Sequence, residues 1–116
     1  MYWLMVCRHH PGQDARRAEM RDAHRAHVAS GHDGRVKVLI GSALTHDDAV
    51  AAIGNFGILE APDRDTALAF AQADPYARAG IVDSIEITAL ASTFQAHRID
   101  PMTASPAPRR DPPEAA

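Results

Sequence analysis

The sequence predicts a small α+β domain whose elements run strand–helix–strand–strand–helix–strand. Three observations predict it. Apolar runs of strand length occur at residues 2–7, 36–41, 53–61 and 82–90. Two longer segments between them, residues 14–30 and from 63 to about 74, carry helical periodicity or helix signals. Turn and breaker residues separate the segments: Pro11-Gly12, Gly31 and Pro75.

Tyr2-Trp3-Leu4-Met5-Val6-Cys7 is apolar at odd and even positions alike. A strand covered on one face alternates, so a continuous run requires cover on both faces. Helices can supply one cover in a small chain, and a partner subunit is expected to supply the other. His9-His10-Pro11-Gly12 reads as a solvated loop. Asp14 is the expected N-cap of a helix through Ser30, with Gly31 as its stop. Met20, Ala23, His24, His27 and Val28 fall on one stripe, whereas Arg16, Arg17, Glu19, Arg21, Asp22 and Arg25 mostly fall elsewhere. Two histidines therefore point at the sheet.

Val36, Val38 and Ile40 alternate with Lys37, Leu39 and Gly41 in a second strand. Thr45–Ala52 reads as a loop with at most one helical turn. Ile53–Ala61 is the third strand, where Gly54 and Gly57 signal a bulge or close backbone approach. Asp63 or Asp65 caps a second helix, with Ala67, Leu68, Phe70 and Ala71 inward. Pro75 lacks the N–H that would continue it, so it ends near Asp74. Val82–Leu90 is the last main strand, and residues 91–99 are expected to lie along a neighbouring subunit or add a short edge strand. The order βαββαβ is the ferredoxin-like split arrangement, an antiparallel sheet with two helices on one face and the first and third strands central. The domain is expected to span residues 1–99. Residues 100–116 hold five prolines and almost no bulky apolar groups, so a disordered tail is expected.

At 116 residues, 46% apolar and 23% charged, the composition is that of one globular domain. A formal charge of −3 offers no electrostatic case for nucleic acid or an anionic membrane. From Arg8 to Lys37, seven Arg/Lys interleave with four acids, which describes a solvated helix face. The single cysteine, Cys7, excludes an intrachain disulfide and reads as a buried structural thiol. No apolar stretch reaches bilayer length and residues 2–7 are too short for a signal h-region, so a cytoplasmic location is expected.

His24 on an inward stripe and Asp74 at a helix break are the residues suited to acid–base chemistry. An imidazole with a carboxylate partner has a fixed tautomer and titrates near working pH. His24-x-x-His27 offers two ligands on one helix face, too few for a metal site. No phosphate loop, nucleophile elbow or dinucleotide fingerprint occurs.

Four features resemble the YciI-like (YCII-related) family: the opening strand Tyr2–Val6; Arg21-Asp22-Ala23-His24 followed by His32-Asp33-Gly34-Arg35; Gly41 closing the second strand; and Ala73-Asp74-Pro75-Tyr76 followed by Ala79-Gly80. They cover residues 1–98. The resemblance implies a ferredoxin-like α+β fold, dimers whose sheets pack together into a barrel-like assembly, and a His24–Asp74 site. Where many members have Gly-Pro after the second strand, this chain has Gly41-Ser42, which implies a different pocket rim. The Cys7-Arg8-His9-His10 opening and histidine-rich helix resemble the chlorohydroxyhydroquinone dehydrochlorinase branch. That implies a lyase that removes HCl from a chlorinated hydroxyhydroquinone without cofactor or metal. His24 would be the base and Asp74 its orienting partner, with Arg21, Tyr76, Ser42 and His27 contacting substrate. The alternatives are a muconolactone-isomerase-like isomerase, a non-catalytic small-molecule binding or accessory domain, and an interaction module that uses the tail. In each enzymatic reading the partners are a small-molecule substrate and a further copy of the chain, a homodimer or larger homo-oligomer.

Overall fold

The computed structural model describes residues 1–102. Strand β1 (Tyr2–His9) leads into helix α1 (Asp14–Gly34), then strands β2 (Lys37–Thr45) and β3 (Ala52–Glu60). Helices α2 (Arg64–Ala73) and α3 (Pro75–Arg78) follow, then β4 (Val82–Ala89) and a 3₁₀ turn at Ala96–Arg98. The four strands form one antiparallel sheet in the order β2-β3-β1-β4, so β1 and β3 are central. The expected βαββαβ order is present, with α3 added before the last strand.

Register decides which residues meet. Trp3, Met5 and Cys7 oppose Leu59, Gly57 and Asn55 across β1–β3, and Ala89, Ile87 and Ile85 across β1–β4. This face carries the helices: Trp3, Met5, Cys7, Val38, Leu59 and Ile87 form one core with Ala67, Phe70 and Ala71 of α2, and Val28 of α1 packs against it. The other face presents Leu4, Val6, Phe56 and Ile58, all half-buried, and Ile40, 41% exposed.

Gly54 sits where β3 passes closest to β1, and a methyl group there would lie 2.3 Å from the Cys7 carbonyl oxygen. Regular helix in α1 ends at Ser30, because Gly31, His32 and Asp33 turn left-handed at φ 59°, 53° and 59°. Gly31 then accepts from the Val36 N–H at 2.9 Å, which delivers the chain into β2. Asp63 caps α2 by accepting from the Thr66 N–H at 2.7 Å.

Several expectations are corrected. Gln13, not Asp14, holds the N-cap position of α1, and it makes no side-chain cap; Asp14 instead pairs with Arg17. Ala23 is exposed and Arg17 takes its place on the inward stripe, 6% exposed. Strand β2 runs on past Gly41, which is mid-strand. It also carries a register shift between Val38 and Ile40, with Leu39 as the extra residue. The shift turns Ile40 and Ser42 to the face away from the helices, which simple alternation did not anticipate. Residues 91–99 add no strand. They fold into turns, with Phe94 against the Tyr2 ring at 5.6 Å, and the Met102 N–H donates to Leu39 O at 2.9 Å. Most of the expected tail, residues 103–116, lies outside the described residues.

Candidate functional site

The helix break places Asp74. Pro75 has no N–H to give α2, so the helix stops at Ala73 and Asp74 turns to φ −58°, ψ 133°. Pro75 then starts α3, a favoured use of proline at a first helical position. The Asp74 carboxylate accepts from the Tyr76 N–H at 2.9 Å and so caps the new helix. The same carboxylate faces α1, where the His24 Nδ1–H donates to Oδ1 at 2.9 Å and Oδ2 at 2.8 Å. Asp74 is 6% exposed, so the contact is screened little by solvent. With Nδ1 carrying the proton, Nε2 of neutral His24 holds the lone pair. Among the described residues Nε2 makes no hydrogen bond, and the side chain keeps 19% of its surface.

Tyr76 stacks on His24, centroids 4.2 Å apart and planes within 9°. Burial pushes its phenol above the usual value, and the nearby guanidinium of Arg21 draws it back in part. Tyr76 also meets the edge of His9 at 5.7 Å. His9 was read as a loop residue and is not one: it ends β1 and is 9% exposed. Its Nε2–H donates to Asn55 Oδ1 at 2.8 Å, and its Nδ1 accepts from Arg17 Nη1 at 3.3 Å. Burial lowers its pKa, opposed by the Asn55 bond, and favours neutral imidazole. His9 and Arg17 were missed because the strand was read two residues short and the guanidinium was assigned to solvent. An i, i+3, i+7 reading of Arg17, Met20 and His24 was the available signal for Arg17.

The other candidates divide. Arg21 lies beside Tyr76, on the exposed side of α1. His27 donates from Nε2 to Phe70 O at 2.8 Å and stacks on the Phe70 ring at 4.7 Å, so it ties α1 to α2. Ser42 is exposed opposite Phe56, on the face away from His24, and donates to Ala43 O. Burial, with Asp74 adding to it, pushes the Cys7 thiol up to about 12, which leaves it protonated at neutral pH. Among the described residues, no group of three or more His, Cys, Asp or Glu could hold a metal ion. No helix among them is long and apolar enough to cross a membrane.

The stacked Tyr76 ring covers one face of the His24 imidazole. Two cavities lie near the pair without being lined by it: one of about 300 Å³ near the end of β1, lined by His9 and Arg17 among others, and one of about 430 Å³ lined by Met20, His27, Ala73, Pro75, Arg78 and Ala79.

These features define a class: a ferredoxin-like α+β domain with a buried His–Asp pair between its first helix and the break after its second. The chain belongs to the YCII-related domain family, whose model matches residues 1–91. Among solved structures it is similar to the 5-chloro-2-hydroxyhydroquinone dehydrochlorinase of Burkholderia phenoliruptrix AC1100, in complex with 2,5-dihydroxybenzoquinone. The TM-score is 0.66 and the identity 24%, over 78% of this chain and 94% of that one. A protein of Chloroflexus aurantiacus described as an antibiotic biosynthesis monooxygenase aligns at TM-score 0.40 and 18% identity, over 81% of this chain and 97% of that one. No match was found among curated proteins.

Proposed function

We propose that the chain is a His–Asp acid–base enzyme acting on a small hydroxylated aromatic ring, and that its reaction is dehydrochlorination. One observation carries the reading. His24 offers an unpaired Nε2, while both oxygens of a buried carboxylate hold its Nδ1–H. That arrangement selects the tautomer a base needs and stabilises the imidazolium it becomes.

On a chlorinated trihydroxybenzene, Nε2 takes a phenolic proton and returns it to the carbon bearing chlorine, which gives a keto tautomer. The electrons of a second O–H bond then expel chloride, and its proton leaves to solvent. The net change is loss of HCl and formation of a hydroxyquinone. The ring is oxidised as the C–Cl bond is reduced, so electrons balance without a redox cofactor. Arg21 and Tyr76 are the groups beside His24 suited to steady a phenolate. The fold likeness to a dehydrochlorinase supports this choice of substrate class.

The test is turnover of chlorinated and unchlorinated trihydroxybenzenes, read as chloride release and quinone absorbance. Chloride release that His24→Asn abolishes is the expected result. Lactone isomerisation without chloride release would favour the isomerase reading. Saturable ring binding with no turnover of any substrate would favour a binding domain, which the stacking of Tyr76 over the His24 ring also suits.

A further inference from the structure

The cavity at the end of β1 is walled by His9, Pro11, Arg17, His46, Ala51 and Ile53, among others. Its volume of about 300 Å³ is at the small end of ligand sites. Its walls are of two kinds. Pro11, Ala51 and Ile53 are apolar; the polar side holds the charged pair Arg17 and Asp14 together with histidines, of which Arg17 alone is a buried charge.

Arg17 is the informative residue. A guanidinium that is 6% exposed needs charge compensation. Asp14 supplies some, but its side chain is 79% exposed and its charge is solvated. His9 supplies none, because its tautomer is set by Asn55 and its Nδ1 meets Arg17 as a neutral acceptor. The guanidinium is thus oriented by groups that neutralise it only in part. Two of its five N–H donors account for both contacts. A fixed planar fork beside an apolar wall matches a planar anion with an apolar body.

We infer that this cavity binds a small one-ring organic anion, its carboxylate or phenolate on Arg17 and its ring against Pro11, Ala51 and Ile53. His9 is a positioning residue there, and Asp14 competes with the ligand for the guanidinium. Neither His24 nor Asp74 lines the cavity, although the Tyr76 ring lies against both His9 and His24, and the inference stands whether or not His24 acts as a base.

The test is a titration of the full chain with sodium benzoate, benzamide and inorganic phosphate, followed by backbone amide NMR shifts. Benzoate is expected to move Gly12, Arg17, His46 and Ala51–Ile53 saturably. Benzamide should bind about 10-fold more weakly or worse, because it lacks the charge that strengthens the bond to Arg17. Arg17→Gln should weaken benzoate binding roughly 10–100-fold, the scale of a hydrogen bond to a charged group. Asp14→Asn should tighten it. Ala51→Trp should block it while leaving Arg17 in place, and keeps the test decisive if Arg17→Gln does not fold. Equal binding of benzamide, displacement of benzoate by equimolar phosphate, or shifts confined to His24 and Tyr76 would overturn the inference. So would unchanged affinity in both Asp14→Asn and Ala51→Trp.

Discussion

His24 and Asp74 share one hydrogen-bonded unit, and their substitutions separate chemistry from packing. His24→Ala and His24→Asn are expected to lower turnover of a chlorinated trihydroxybenzene roughly 10²–10⁴-fold, the range for loss of a general base. Asp74→Asn should be severe as well. Its amide can donate to Nδ1, which would move the proton to Nε2 and remove the basic lone pair. His27→Ala should reduce stability more than turnover, because its ring bonds Phe70 O and not the pair. Circular dichroism and urea midpoints of each variant check folding. Two further groups predict the pH limits. The native Cys7 thiol, raised from the usual 9.0 to about 12, stays protonated where the unfolded thiol ionises. Stability should therefore fall as pH rises from about 9 towards 12, by up to about 1.4 kcal/mol per pH unit. His9, lowered from 6.5, does the reverse on the acid side. Its contribution is complete above 6.5 and is lost as pH falls below it through the native value. Denaturant titrations across pH, repeated on Cys7→Ala and His9→Gln, test both limbs.

At the scale of elements, two glycines set how strands and helices join. Gly54 allows β3 to approach β1, and a Cβ would stand 2.3 Å from Cys7 O and 3.3 Å from Arg8 Cα. Both obstacles are backbone, so the strands themselves must move. Gly54→Ala is expected to cost roughly 1–3 kcal/mol, the usual range for overpacking. Gly31→Ala should cost at least as much, since it combines φ 59° with a Cβ 2.4 Å from Val36 O. Urea unfolding measures both. Wild-type midpoints would show that the helix exit and the strand pair relax more easily than their geometry indicates. The Asp74-Pro75 junction is the other decisive joint: one dipeptide ends α2, starts α3 and supplies the carboxylate for His24.

Among the described residues, one sheet face carries no helix. Leu4, Val6, Phe56 and Ile58 are cross-strand neighbours there, and Ile40 is 41% exposed beside Ile58. The segment after β4 folds back by way of the Phe94–Tyr2 contact and the Met102–Leu39 hydrogen bond, yet Leu4, Val6, Phe56 and Ile58 remain half-buried and Ile40 exposed. A second copy packing sheet to sheet is the expected cover. Analytical ultracentrifugation should find a dimer or larger oligomer of the 12.5 kDa chain. Ile58→Arg should dissociate it, because an unpaired charge cannot be buried in such an interface without large cost. A stable folded monomer of the wild-type chain at micromolar concentration would refute the assembly.

What local rules govern was legible before any coordinates. Pro75 had to end a helix, Gly31 had to stop one, an aspartate at 63 or 65 had to cap one, and β1 was too apolar for an outer strand. Each follows from steric and hydrogen-bonding limits acting within a few residues. His24 on a helix stripe and Asp74 at a break were legible for the same reason, although only the packing of α1 against α3 brought them within 3 Å. Other placements depended on register. The single extra residue at Leu39 reverses every side chain beyond it, so Ser42 faces away from His24. His9 meets Asn55 only through the β1–β3 pairing, 46 residues apart in sequence, and that contact sets which of its ring nitrogens donates. The sequence by itself determined the order of the main elements and where the two long helices stop, at Gly31 and before Pro75, because those are near-neighbour energies. Which faces meet was decided by tertiary structure alone, because parity and register are set by long-range pairing that near-neighbour energies do not encode.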